Sequence, residues 1–192
     1  MTPAKTPKKT TVKRASAPIP DLPPNPFTFE VLNIVSNQRS AARKVEALKK
    51  FEHDSFKALF IWNFDETVIS LLPPGEVPYS SMKDEQNNTG TLSTKIGQQV
   101  NTLSHNQTTN VNEGHTTLRR EWTKLYNFVK GGNDQLNVLR RETMFINILT
   151  GLHPLDAEIL CLVKDKKLQT KYKITRANVE KAYPDIQWGG RS

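Results

Sequence analysis

DQLNVLRRETMFINILTGLHPLDAEILCLVKDKKLQTKYKITRANVEKAYPDIQW, residues 134–188, reads as three helices in succession with a basic elbow between the last two. Asp134 follows Gly131 and Gly132 and is placed to cap the first. Phe145, Ile148, Leu149 and Leu152 recur at i, i+3, i+4 and i+7, so one face of that helix is apolar. Gly151 suits a left-handed C-terminal position. His153-Pro154 restarts the chain, with proline at the first helical position, where its missing N–H needs no partner. Asp156 and Glu158 then fall near a helix start, where the dipole favours negative charge. The run Ile159-Leu160-Cys161-Leu162-Val163 leaves no polar face, which predicts a helix buried on several sides. Thr175 is placed to cap the third helix, with Ile174 and Val179 spaced for a hydrophobic staple. Pro184 ends it.

The 192 residues suit one domain with tails. The net charge of +8 is concentrated. Residues 1–26 carry five Lys/Arg against one Asp, and residues 164–181 carry seven against two, so the rest of the chain is slightly acidic. Such local basicity is the footprint of an anionic partner. Cys161 is alone, which excludes an internal disulfide or a cysteine zinc site. No apolar run approaches the ~18 residues of a membrane span, and the N-terminus has no apolar signal core. These features predict a cytoplasmic protein with no membrane contact.

Residues 1–26 are basic, proline-rich and almost without apolar side chains, and are expected to form a disordered arm. Residues 27–79 form an N-terminal helical half. Thr28 is placed to cap its first helix, with Phe27 and Leu32 at staple spacing. A second helix is expected over 38–51, with Ala41, Val45 and Leu48 inward and Arg39, Arg43, Lys44, Lys49 and Lys50 on a solvated face. Asp54 is placed to cap a third, whose Phe56, Leu59, Phe60 and Trp62 belong to the core. Asp65-Glu66 reads as helix N-terminal charge and not a catalytic or metal-binding pair, since adjacent helical residues do not face one another. Leu71 to Tyr79, with three prolines, is a rigid connector. Residues 80–115 read as a polar, mobile insertion. Within it Leu92, Ile96, Val100 and Leu103 form a thin stripe at helical spacing that would order only against a partner. Residues 116–188 form the C-terminal half, opening with an amphipathic helix over 116–130 whose face is Leu118, Trp122, Leu125, Tyr126 and Val129. The two halves are expected to make one domain, an all-α compact bundle of six or seven helices.

No phosphate-cradling glycine loop, nucleophile elbow or zinc helix is present. His53 and His153 stand beside helix starts, where capping explains them, and His105 and His115 lie in the polar insertion. No catalytic residue, metal or cofactor is expected. The strongest feature is the elbow, with Lys164, Lys166, Lys167, Lys171, Lys173, Arg176 and Lys181 around Tyr172. Its connection, 168–174, is longer than the turn of a DNA-reading helix–turn–helix and lacks the turn glycine. Those departures count against a major-groove reader without removing it, and phosphate contact without sequence readout, a solvated lysine-rich loop and a site for an acidic protein stand beside it as alternatives.

Several short strings carry a resemblance: Leu71 to Tyr79, Leu125 to Val129, Arg140 to Ile146, Leu152 to Leu160, the Lys164-Asp165-Lys166 triplet and Ala182-Tyr183-Pro184. Together they resemble a family of small uncharacterised proteins of T4-like tailed bacteriophages, over roughly residues 29–186. The resemblance implies a phage setting, in the host cytoplasm or a virion, and carries no activity. The resulting expectation is a non-enzymatic accessory protein that contacts DNA or RNA, the replication or transcription machinery, or an acidic phage or host protein through elbow and arm. The alternative is a virion structural or assembly protein acting through protein–protein contacts.

Overall fold

The computed structural model describes residues 18–79, 90–91 and 116–191. The arm over 1–17, most of the polar insertion, its apolar stripe, His105 and His115 lie outside the described residues.

The fold is all-α. The described helices are α1 (Thr28–Asn37), α2 (Ala41–Lys50), α3 (Asp54–Phe64), α4 (Leu118–Glu121), α5 (Val138–Gly151), α6 (Pro154–Lys164), α7 (Leu168–Lys171) and α8 (Arg176–Ala182). A 3₁₀ segment, Trp122–Phe128, follows α4. The count exceeds the expected six or seven because two four-residue turns, α4 and α7, stand as helices. Beside them, β1 (Pro78–Tyr79) pairs antiparallel with β2 (Gly90–Thr91), Pro78 opposite Thr91.

Helix α6 is the centre. It packs against α1, α3, α5 and α7, while α8 lies along α2 and touches α3. Ile159, Leu160 and Val163 of its apolar run are buried, and Cys161 and Leu162 are half-buried against the core. Phe145, Ile148, Leu149 and Leu152 are buried, as their spacing implies. Each such side chain contributes about 1.5–3 kcal/mol by leaving water.

Several local expectations need correction. Residues 18–26 lie on the fold rather than in a disordered arm: Ile19 is buried, its carbonyl accepts from Lys50 Nζ at 2.8 Å, and Asp21 pairs with Lys50 at 2.7 Å. The arm's charge pattern concealed these anchors. Thr28 is the first residue of α1 and not its cap. Asp156 supplies that cap from α6, its Oδ1 accepting from Phe29 N–H at 2.9 Å and its Oδ2 from Thr28 N–H at 3.4 Å. Ser40 caps α2, whose inward residues are Ala47 and Leu48, with Val45 half-buried and Ala41 exposed. His53, not Asp54, caps α3, and Asn137, not Asp134, caps α5. Asp134 accepts instead from Gly131 N–H in the preceding turn. Gly151 is the last helical residue of α5 and is not left-handed; it admits a close neighbour, for a Cβ there would sit 3.2 Å from Thr116 Cγ2.

The amphipathic helix expected over 116–130 winds as α-helix for one turn and then as 3₁₀. With three residues per turn, 122, 125 and 128 share a side. Leu125 and Phe128 are buried there, Trp122 is half-buried, and Tyr126 swings out to 54% exposure. Arg141 holds the end of this segment. Its buried guanidinium donates to Asn127 O (2.9 Å), Asn133 O (3.0 Å) and Leu136 O (3.0 Å). Gly132 completes the turn because a Cβ would lie 1.9 Å from Tyr126 O.

Candidate functional site

The elbow that sequence marks as one basic cluster divides into two groups with different tasks. The first is structural. Lys164 has a side chain only 1% exposed, and its ammonium donates to Pro73 O (2.7 Å), Gly75 O (3.2 Å) and the Asp165 carboxylate. Asp165 Oδ2 in turn accepts from Gly75 N–H at 3.2 Å, with Gly75 at φ +96°. The proline connector offers few N–H groups of its own, so its carbonyls need donors from elsewhere. Lys166, itself left-handed at φ +57°, donates to Asp65 O at 2.8 Å. The Lys164-Asp165-Lys166 triplet therefore clamps the connector and the end of α3 onto α6.

Asp65 is the far side of that clamp and corrects the reading of Asp65-Glu66 as helix-start charge. It is the buried C-cap of α3. Burial pushes its carboxyl up, but bonds from Gly189 N–H (2.8 Å), the Thr67 hydroxyl (2.7 Å), Thr67 N–H (3.0 Å) and Arg191 (2.6 Å) outweigh this and hold it at about 2. The C-terminal tail is thereby pinned back, and Trp188 packs on the core beneath the Arg176 guanidinium, 4.7 Å from the ring centroid.

Two more elbow cations are matched by carboxylates: Lys171 pairs with Glu158, and Arg176 with Glu180 at 2.8 Å. The elbow is not a free loop either, since Leu168, Tyr172 and Ile174 are buried beneath it. Lys167, Lys173 and Lys181 are exposed and form no ion pair among the described residues.

Packing of α2 along the elbow adds a cation that the sequence reading left on a solvated face. Lys44 of α2 reaches the Lys173 carbonyl with its ammonium. Lys173 N–H is fixed by Ser36 Oγ at 3.0 Å, at the end of α1. Burial, and then the charge of Lys173, depress the Lys44 pKa. The Lys44 ammonium thus lies against the Lys173 main chain and feels the charge of its side chain, and neither lysine meets a carboxylate among the described residues. Arg39 and Lys49, at either end of α2, are likewise exposed and unpaired among those residues. Nothing local in the sequence places Lys44 beside Lys173; the contact spans 129 residues.

This division makes an expected contrast. Lys164→Met strips the connector of its donor and leaves Asp165 without its cation, at a cost of about 2–3 kcal/mol. Lys173→Glu changes an exposed side chain and stays within about 0.5 kcal/mol of the parent. Urea denaturation checks both, and faster hydrogen exchange at 72–77 should accompany the first alone.

Among the described residues no cluster of His, Cys, Asp and Glu is suited to a metal, and no helix is long and apolar enough to cross a membrane. His53 and His153 both cap helices, their Nδ1 atoms accepting from Ser55 and Leu155 N–H groups. Burial pushes the Cys161 thiol up to about 12, the state of a core residue rather than a nucleophile. A cleft lies between the connector and α5, lined by Leu72, Pro73, Val77, Phe145, Ile146 and Lys164 together with two carboxylates, Glu76 and Glu142. Val138 and Leu139, 60% and 74% exposed, stand at the start of α5.

Neither the comparison with curated proteins nor that with solved structures finds a match. A protein-family model does match, over residues 31–106 and 103–170, a span that includes the Lys164-Asp165-Lys166 clamp and stops before Lys171. On that coverage the chain belongs to the Family of unknown function (DUF6433).

Proposed function

We propose that this is a non-enzymatic binding protein that meets the phosphate backbone of DNA or RNA with the basic surface centred on Lys44 and Lys173. The observation that carries the reading is their juxtaposition. Lys44 is fixed at the Lys173 main chain and feels that residue's charge, so the two cations repel, and a passing polyanion offsets the repulsion while releasing its own counterions. Lys167, Lys181, Arg39 and Lys49 extend the unpaired charge. The buried and paired members of the elbow, Lys164, Lys166, Lys171 and Arg176, drop out of the contact set. Burial of Tyr172 removes the one elbow aromatic from base stacking, so contact rests on charge and not on readout of bases. The resemblance to proteins of T4-like bacteriophages supports a phage setting, in the host cytoplasm or the virion.

The test is fluorescence anisotropy with a labelled mixed-sequence duplex and a single-stranded RNA, over roughly 20–200 mM salt. Affinity should fall linearly on a log–log plot, and each contacting lysine removed should lower the slope by about 0.9 on duplex DNA. Lys44→Glu with Lys173→Glu should weaken binding of both ligands, while Arg176→Gln should change little. Absence of binding at the lowest salt, or an unchanged slope in the double variant, would overturn the reading.

A second reading, assembly through protein contacts, is favoured by Val138 and Leu139. Sedimentation of the parent and of Leu139→Glu separates the two, since self-association lost in that variant would belong to assembly.

A further inference from the structure

The cleft between the connector and α5 has a free volume of about 100 Å³. Sites for metabolite-sized ligands run to roughly 300–1,000 Å³, so this one suits one or two aliphatic side chains. In its lining Leu72 and Phe145 are buried, and Val77 and Ile146 are half-buried. Glu76 and Glu142 add two carboxylates. The Lys164 ammonium is committed elsewhere, to the Pro73 and Gly75 carbonyls and to Asp165. The cleft therefore fits an apolar segment that carries a cation.

The register of the short ladder selects that segment. β1 follows Val77 directly and lies against α5, with Pro78 opposite Thr91 and Tyr79 opposite Gly90 of β2. Antiparallel pairing continued by one residue sets position 92 opposite Val77, and opposite residues share a face of the ladder about 4.5–5.5 Å apart. Lys95 and Ile96 follow Leu92 at i+3 and i+4, the spacing of one helical face, and Val100 and Leu103 prolong the stripe. Lys95 is the one Lys, Arg, Asp or Glu between residues 86 and 112. A helix of about twelve residues is marginal in water, so such a stripe needs an apolar surface to hold it. The first stretch of the family match, 31–106, takes in the connector and the stripe together.

We infer that the chain's own segment 92–103 docks on this cleft, Leu92 and Ile96 entering the apolar lining and the Lys95 ammonium meeting Glu76 and Glu142. The docking uses none of the lysines of the proposed nucleic-acid surface, so either can fail without the other.

The experiment is hydrogen exchange on the full chain, read at the amides of 92–103. They should exchange about tenfold or more slowly than in Ile96→Asp, a variant that removes one buried aliphatic side chain. Glu142→Lys and Lys95→Glu should each speed exchange there by about fivefold, and the two combined in one chain should restore most of the parent protection. Helices α2 and α8 should keep their protection in every variant. Amides of 92–103 unprotected in the parent would overturn the assignment, as would protection indifferent to Ile96→Asp or a charge-swapped double variant no better than the single ones. Protection regained on mixing the two single variants, with a dimer in sedimentation, would seat the segment on a second copy and overturn it as well.

Discussion

Arg141→Met is expected to lower the unfolding free energy by about 3 kcal/mol, for hydrogen bonds to a charged donor are worth about 1.5–3 kcal/mol each and do not add fully. In a chain of this size that is a fall of roughly 6–12 °C in melting temperature. Arg141 holds the segment 127–137, whose 131–137 stretch has no buried side chain. Gly131 is left-handed and Gly132 tolerates no Cβ, so the backbone there gains little from propensity. What fixes it is one guanidinium bound to three carbonyl oxygens. Methionine keeps much of the volume and removes the desolvated charge, which offsets part of the loss, but leaves the Asn127 carbonyl without its donor. The 3₁₀ segment should loosen with the turn, so hydrogen exchange should accelerate across 125–137 while α2 and α8 keep their protection. A variant as stable as the parent, with unchanged exchange, would remove Arg141 from its structural role.

The second large effect is a dependence of stability on pH that runs opposite to the usual carboxylate pattern. Asp156 is fully buried, and burial pushes its carboxyl up from 3.8 to about 7 against the pull of the Phe29 and Thr28 N–H groups, with Glu30 adding to the rise. Because the folded pKa lies above the unfolded one, the native state holds more protons between about pH 4 and 7, and stability falls as pH rises through that window. A gap of about three units corresponds to a loss on the order of 4 kcal/mol. Asp65 acts below this range. Its pKa is depressed to about 2, so its contribution is present above pH 4 and is lost as pH falls toward 2. His53, depressed by burial and Arg119, binds protons better when unfolded, so it adds stability as pH rises toward 6.5 and partly offsets Asp156. Stability should therefore peak on the acid side, near pH 4–5. Asp156→Asn should flatten the decline between pH 5 and 8, at a cost of about 1 kcal/mol at pH 5 for the cap bond its amide group cannot accept. Urea midpoints across that range check the sign. A parent whose stability rises steadily from pH 4 to 7 would contradict the burial of a lone carboxylate.

Periodicity and caps made much of the fold legible. The apolar spacing of α5, the proline at the start of α6, and the Thr175 cap with its Ile174–Val179 staple all appear where local chemistry puts them, Asn178 Oδ1 accepting from Thr175 N–H at 3.2 Å. What local chemistry misplaced were features supplied from a distance. Thr28 looks like a cap until Asp156 arrives from α6. Residues 116–130 look α-helical until Arg141 and Gly132 tighten the end of the run. The elbow was legible as charge but not as partition, because a lysine aimed at a carbonyl and a lysine aimed at water have the same sequence. Lys44 illustrates the converse: it reads as one of several solvated lysines, and only the packing of α2 along α8 brings it to Lys173.

The cap on α1 also bears on the order of events during folding. A ten-residue helix is marginal in isolation, and the carboxylate that completes this one arrives from 128 residues downstream. Closing so large a loop is entropically slow and must come before the bond can form. The N-terminal segment is thus bound to consolidate late, after α6 has found its place. Substitutions at its first turn should speed unfolding while scarcely touching the refolding rate, the kinetic mark of contacts made on the native side of the barrier.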